Sequence, residues 1–147
     1  MTFNGLPLHP LVVHLTVVTL PVLVLLSLAS LHPRWRDRLR LPTVALAVFA
    51  AALVWFTVKT GESLRDHLVN VLHVPVATYD AHVHAADRLK LITYAFALLA
   101  LVRYWLHNRA GWIRWALGAL VVVGAVAIVY FVYRTGDTGA RLVYNGI

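Results

Sequence analysis

The sequence predicts an all-α integral membrane protein, a four-helix bundle with both termini on the extracytoplasmic side. Three observations predict it. Apolar residues make up 61% of the chain and charged residues 13%, whereas a soluble domain holds about 45–50% and about 25%. The apolar residues fall into four runs separated by short polar segments. Each crossing takes ~20 residues, so residues 1–147 form a single domain with room for four crossings and little else. The arginines collect in alternate connections, which gives the bundle a direction across the bilayer.

The first run spans about Leu11 to Leu31. Pro10 suits a first helical turn, where a missing N–H is harmless. Pro21 must kink the run or be accommodated by neighbouring helices. With no basic stretch ahead of it and no small-residue cleavage site, the run reads as a retained helix and not a signal peptide. The second run, about Thr43 to Val58, starts at Pro42. Beyond Gly61, the residues Leu64, Leu68, Val71 and Leu72 keep a helical apolar stripe, so this helix is expected to continue towards His73. Pro75 ends it. Thr78 is the expected cap of a third helix from about Tyr79 to His107. At 1.5 Å per residue that helix is roughly 40–45 Å long, more than the ~30 Å hydrocarbon layer. The fourth run extends from Trp115 to about Tyr133, and a polar tail follows.

Charge sets the orientation. The connections Pro33–Pro42 and Arg103–Arg114 hold Arg34, Arg36, Arg38, Arg40, Arg103, Arg109 and Arg114 against Asp37 alone. On the other side Lys59, Arg65, Arg88, Lys90, Arg134 and Arg141 are nearly balanced by Glu62, Asp66, Asp80, Asp87 and Asp137. The arginine-rich side is therefore expected to be cytoplasmic. Trp35, Trp105, Trp112 and Trp115 fall at that same interface, where amphipathic rings prefer to lie. Membrane topology accounts for the net charge of +7 better than nucleic-acid binding does, because the cations sit in short segments between apolar runs. The chain has no cysteine, which excludes disulfides, thiolate clusters and covalently attached c-type haem but leaves non-covalent haem open.

Six of the eight histidines, His9, His14, His67, His73, His82 and His84, belong to the outward side. Imidazole is costly near hydrocarbon, so such clustering points to function, and imidazole is the side chain that most often holds a metal or haem iron. His14 lies one turn inside the first helix, roughly 6 Å below Pro10. His9 precedes Pro10 and is expected outside the helix. His82 and His84 are two residues apart and cannot both face the core. His84 shares a face with Asp80, Asp87 and Arg88 and is the expected inward member, with Asp80 or Asp87 orienting its ring as outer carboxylates commonly do. The plainer alternative is that each histidine is structural. His32 and His107 fit interfacial or capping roles, and His67 and His73 fit a solvated face. Thr16, Thr19, Ser27 and Ser30 are expected to hydrogen-bond within or between helices, and Gly118 and Gly124 to permit close packing. Glu62 and Asp66 are more simply a solvated face than proton-transfer groups. No phosphate-binding glycine loop, nucleophile elbow or zinc-protease motif is present.

The opening Gly5-Leu6-Pro7-Leu8-His9-Pro10-Leu11-Val12-Val13-His14 resembles the start of a family of small bacterial membrane proteins, domain-of-unknown-function family 2231. The resemblance extends to Thr60-Gly61 with Asp66, to a histidine opening the third helix (His82 or His84), and to the closing Gly139-Ala140-Arg141-Leu142-Val143-Tyr144-Asn145-Gly146. It implies four membrane helices and an outer site assembled from the terminal motifs. Leu15 and Thr16 stand where the family pattern has phenylalanine and proline. Ala140 and Asn145 replace a glycine and a basic residue or histidine.

Three functions compete. The first is a haem b protein, an electron carrier or redox subunit, with bis-histidine iron held by His14 and His84 and with His9, His67 or His82 as substitutes. Asp66, Asp80, Asp87 and Arg88 would stand behind these ligands. A four-helix bundle readily holds haem between facing helices. The second is a copper or zinc site using His9, His14, His84 and a carboxylate such as Asp66, which needs three or four ligands converging at ~2.0–2.2 Å. The third is a cofactor-free accessory subunit. The expected partners are the lipid bilayer and a larger respiratory or redox complex or a homo-oligomer, in the bacterial inner membrane. An electron-transfer or binding role is expected ahead of a stand-alone enzyme.

Overall fold

The computed structural model describes the backbone except at Met1, Asn4, Gly5, Leu72, Val74, Ala110 and residues 145–147. Side chains are described at the remaining positions apart from Thr2, Phe3, Leu6, Pro7 and Val76. Among the described residues there are four long helices: α1 (Leu8–Ala29), α2 (Arg36–Asn70), α3 (Asp80–Trp105) and α4 (Trp112–Tyr144). A 3-10 turn at Val76–Thr78 precedes α3, and a two-residue antiparallel pairing, Thr2–Phe3 with Leu6–Pro7, precedes α1.

The helices are longer than their apolar runs. α1 passes unbroken through Pro21, whose ring lies on the exposed side. α2 begins at Arg36, ahead of Pro42, which it absorbs near its start. Pro42 removes one backbone donor there, next to the exposed Arg38, where water can take the freed carbonyl. The expected continuation towards His73 is present, with Leu64 and Leu68 half-buried and the chain helical to Asn70. Leu72 of the expected stripe lies outside the described residues. The helix closes with a Val71 N–H bond to the His67 carbonyl, and His73 follows at a left-handed φ of 55°. Thr78 does not cap α3. Its N–H closes the 3-10 turn on Pro75, and Tyr79 takes the cap position without a side-chain bond. The segment after Tyr133 is not a tail but two to three further turns of α4, and Asn145-Gly146 lies outside the described residues. α2 and α4 are therefore about 50 Å long and project well beyond a ~30 Å hydrocarbon layer.

α1 packs on α2 and α4, and α3 packs on the same two helices. The four make a square in which α1 and α3 lie on one diagonal. Leu20, Leu23, Val54, Phe96, Val121 and Ile128 fill the centre, interleaved with Ala47, Ala50, Ala97, Ala100 and Ala125. Small residues suit this role because lipid gives apolar side chains no reason to leave it, so close backbone approach must hold the helices together. The outer faces are apolar and bare: Leu25, Leu98, Val123 and Val126 are each more than 60% exposed. Contiguous apolar surface of this kind marks a lipid-facing perimeter. α1, α2 and α4 are long and apolar enough to span a membrane. α3 carries charges at both ends, and its apolar centre runs from Leu91 to Val102.

Gly124 of α4 faces Phe96 of α3 so closely that an added Cβ would sit 2.6 Å from the ring. Gly124→Ala should therefore destabilise the protein by about 1–3 kcal/mol. Thermal unfolding in detergent checks this, and a smaller side chain at Phe96 should restore part of the loss.

Candidate functional site

His9 lies in the first turn of α1, which Pro10 pre-forms, and faces α2. Its Nδ1–H donates to the Thr57 carbonyl oxygen at 3.1 Å and lies 3.2 Å from Thr60 Oγ1. The Thr60 hydroxyl donates its own proton to the Thr57 carbonyl at 2.8 Å, so it meets the ring as an acceptor. Gly61 completes the seat. A Cβ there would stand 3.0 Å from His9 Cε1, tighter than ordinary contact. Beneath the ring, Thr16 of α1 and Thr57 of α2 join hydroxyls at 2.7 Å.

α3 and α4 repeat this construction. The His82 Nδ1–H donates to the Thr135 carbonyl at 3.0 Å, with Thr138 Oγ1 at 3.3 Å. The Thr138 hydroxyl turns back to the Arg134 and Thr135 carbonyls at 2.8 and 3.1 Å. A Cβ on Gly139 would meet His82 Cε1 at 3.1 Å. The two imidazoles come from diagonal helices and face each other with centroids 6.5 Å apart and planes at 82°. A carbonyl oxygen can only accept, so each ring carries its proton on Nδ1. In the neutral ring that leaves the Nε2 lone pair for another partner. Metal-binding histidines are commonly held in this way through their second nitrogen.

The structure reverses the expected order of the histidines. His9 is inside α1, not ahead of it. His14 is exposed and ties its Nδ1–H to the Pro10 carbonyl of its own helix at 2.6 Å, because five residues from His9 carry it well round the helix. His82 and His84 do point apart, but the inward member is His82. His84 keeps 75% of its side chain exposed, with Nε2 3.4 Å from Asp80 Oδ2, so the face it shares with Asp80, Asp87 and Arg88 is the solvated one. Asp87 pairs with Lys90 at 2.7 Å, and Arg88 is exposed. His67 and Asp66 are exposed on the outer part of α2. Carbonyls and threonine hydroxyls, not carboxylates, orient the paired rings. Among the described residues no group of three or more His, Cys, Asp or Glu side chains converges. At the opposite end, His32 Nδ1 accepts from the Arg34 N–H and His107 Nδ1 donates to the Tyr104 carbonyl, which are turn-stabilising roles.

Sequence reasoning gave Thr57, Thr135 and Thr138 no role and used Thr60, Gly61 and Gly139 only for the family resemblance. The available signal was a repeat: Thr57-x-x-Thr60-Gly61 returns as Thr135-x-x-Thr138-Gly139 at the corresponding ends of α2 and α4.

Fold and site together define a small membrane bundle of two like helical hairpins, each contributing one anchored imidazole to a shared centre. The chain matches the family described as "Predicted membrane protein (DUF2231)" over residues 5–146 and belongs to it. No curated protein and no solved structure matches the chain.

The anchoring predicts a specific tautomer. ¹⁵N NMR of the ring nitrogens, at a pH where imidazole is neutral, should show His9 and His82 protonated on Nδ1 and bare on Nε2. Protonation on Nε2 at either ring would contradict the hydrogen bonds described.

Proposed function

We propose that the paired histidines would hold haem b, and that the protein carries electrons at the membrane, alone or as a redox subunit of a larger complex. The observation behind this reading is the two facing imidazoles, each committed through Nδ1 and each with an Nε2 that has no hydrogen-bond partner among the described residues. Haem requires only two protein ligands, whereas a compact copper or zinc site draws on three or four. Metal–nitrogen bonds of about 2.0–2.1 Å on either side of one ion, with the ring radii added, separate two ring centroids by about 6 Å. The 6.5 Å found here is compatible with that span. Two buried hydroxyls near this end, Tyr79 Oη and Thr135 Oγ1, have no hydrogen-bond partner among the described residues, as expected of a site that takes up another group. Bound iron would supply one-electron chemistry. His9 and His82 would hold it, while Thr57, Thr60, Thr135 and Thr138 keep the rings oriented.

The arginine bias supports an outward-facing histidine end in a multi-pass protein of the bacterial inner membrane. A second reading draws on Gly61 and Gly139. Rings seated this tightly against α2 and α4 would also serve as a cofactor-free clasp in an accessory subunit.

An optical spectrum separates the readings. Protein purified after haemin supplementation should show a Soret band and, on reduction, a sharp α band. His9→Ala or His82→Ala should abolish that low-spin spectrum, whereas His14→Ala, His67→Ala and His84→Ala should leave it. Helical content by circular dichroism controls for folding. A protein that takes up no haem overturns the proposal, and elemental analysis then distinguishes copper or zinc from a bare clasp. Orientation has its own test, which the cysteine-free sequence makes simple. A membrane-impermeant maleimide should label Asp80→Cys in intact spheroplasts and Arg34→Cys only after lysis.

A further inference from the structure

The end opposite the histidines holds a cleft between α2, α3 and α4, lined by Arg36, Arg40, Thr43, Arg103, His107 and Arg114. Asp37 is the sole acidic residue of the two connections that build this end. Its carboxylate lies 3.5 Å from Arg36 Nε and is largely exposed. Arg103 reaches inward and donates from Nη1 to Ser30 Oγ at 3.1 Å, and the Arg40 guanidinium lies 4.8 Å over the Tyr104 ring. Among the described residues the guanidinium groups of the cleft make no other hydrogen bond. A second observation is independent of the arginines. Thr43 is only 4% exposed and lines the cleft, yet its Oγ1 has no hydrogen-bond partner among the described residues. Arg40 Nε is likewise buried without a hydrogen bond among them, and Arg36 Nε has only its long ion pair with Asp37. Buried hydroxyls and guanidinium groups are costly to leave unmatched, so this arrangement asks for an oxyanion.

The shape of the surroundings identifies its source. Arg36, Arg103 and Arg114 also border a groove of about 460 Å³ that continues along α4 at Ala119 and Val122, with Leu31 and Pro33 of the α1–α2 connection on its other side. Gly118 lines it, and exposed Trp115 stands at its edge. Charge at one end and an apolar wall along the membrane span match a headgroup with an attached chain. Free phosphate would use only the first part. We propose that this end binds one anionic phospholipid, its phosphodiester on Arg36, Arg103 and Arg114 and one acyl chain in the groove along α4. Guanidinium forks suit phosphate oxygens, and basic pockets between membrane helices suit anionic lipids of the cytoplasmic leaflet.

The test uses the full chain in a mild detergent, titrated separately with phosphatidylglycerol, phosphatidylcholine and inorganic phosphate at equal phosphorus. Phosphatidylglycerol should raise the melting temperature by several degrees, and the other two should not. The double variant Arg36→Gln/Arg114→Gln should lose the shift. Arg34→Gln/Arg38→Gln, which removes equal charge from exposed positions outside the cleft, should keep it. Native mass spectrometry of the wild type gives a reading that needs no variant: one phosphatidylglycerol retained with a preference over phosphatidylcholine of about tenfold or more. Equal retention of the two lipids overturns the proposal, as does a shift that survives in the cleft variant or vanishes equally in the control. A shift reproduced by inorganic phosphate alone overturns the lipid assignment and leaves the cleft a site for a free oxyanion.

Discussion

Hydrocarbon offers no hydrogen bonds, so a polar atom within the span depends on the protein for its partner. Several threonines find one in their own helix, whereas Ser27 Oγ and Thr43 Oγ1 have none among the described residues. Thr93 returns its hydroxyl proton to the carbonyl four residues back at 2.8 Å; Thr16 and Thr57 have the same carbonyls in reach at 3.0 and 2.8 Å, and one of the two donates instead to the other's hydroxyl at 2.7 Å. Such bonds let a polar side chain sit inside an apolar helix at little cost and leave its oxygen free to accept. Thr60 and Thr138 use that freedom at the histidine seats. The same constraint excludes chemistry from the middle of the bundle, where alanine and branched aliphatic side chains close the core, and confines it to the two ends.

The square arrangement of helices determines which side chains can meet there. Neighbouring helices pack directly on one another, but diagonal helices approach only through side chains aimed at the bundle axis. His9 and His82 occupy those axial positions. A ring attached to α1 or α3 alone would turn freely about its side-chain bonds. Anchoring to the carbonyl of a different helix removes that freedom and fixes the direction of Nε2. The carbonyls already belong to helical backbone, and an imidazole can reach them only where the neighbouring position lacks a Cβ. Gly61 and Gly139 meet this requirement, which explains two glycines in helix interiors where their intrinsic propensity is unfavourable.

Four helices, their order and the amphipathic extension of α2 were legible because apolar runs of this length have few alternative readings, although only α1, α2 and α4 are long and apolar enough to span a membrane. Helix ends were less legible. Pro42 reads as a start signal but tolerates helix on both sides when it lies close to the beginning, and the polar residues after Tyr133 are a solvated continuation of α4. The histidine pair could be narrowed but not ordered. Spacing correctly showed that His82 and His84 diverge, yet nearby carboxylates made His84 look like the inward member. Those carboxylates instead mark the wet side of α3, where Asp80 and Asp87 are themselves hydrated. His9 was undervalued because the residue before a proline is usually outside a helix. Here it lies in the first turn, where that restriction carries little weight. The anchoring groups are largely backbone carbonyls, which no side-chain pattern reveals. Only the repeated threonine–glycine pentapeptide pointed to them.

That repetition bears on ancestry. Each hairpin holds everything its own imidazole requires, so a polypeptide of half this length could assemble an equivalent centre by pairing with an identical copy about a twofold axis. Gene duplication and fusion would turn that encounter into a tethered one, at effective concentrations typical of short linkers, in the millimolar range. Once joined, the halves are free to drift apart. Lys59 and Glu62 form an ion pair at 2.7 Å in the first half, where Asp137 and Ala140 stand at the equivalent positions of the second. Such asymmetry can give two chemically like imidazoles unequal surroundings, which no strict dimer of identical halves could achieve.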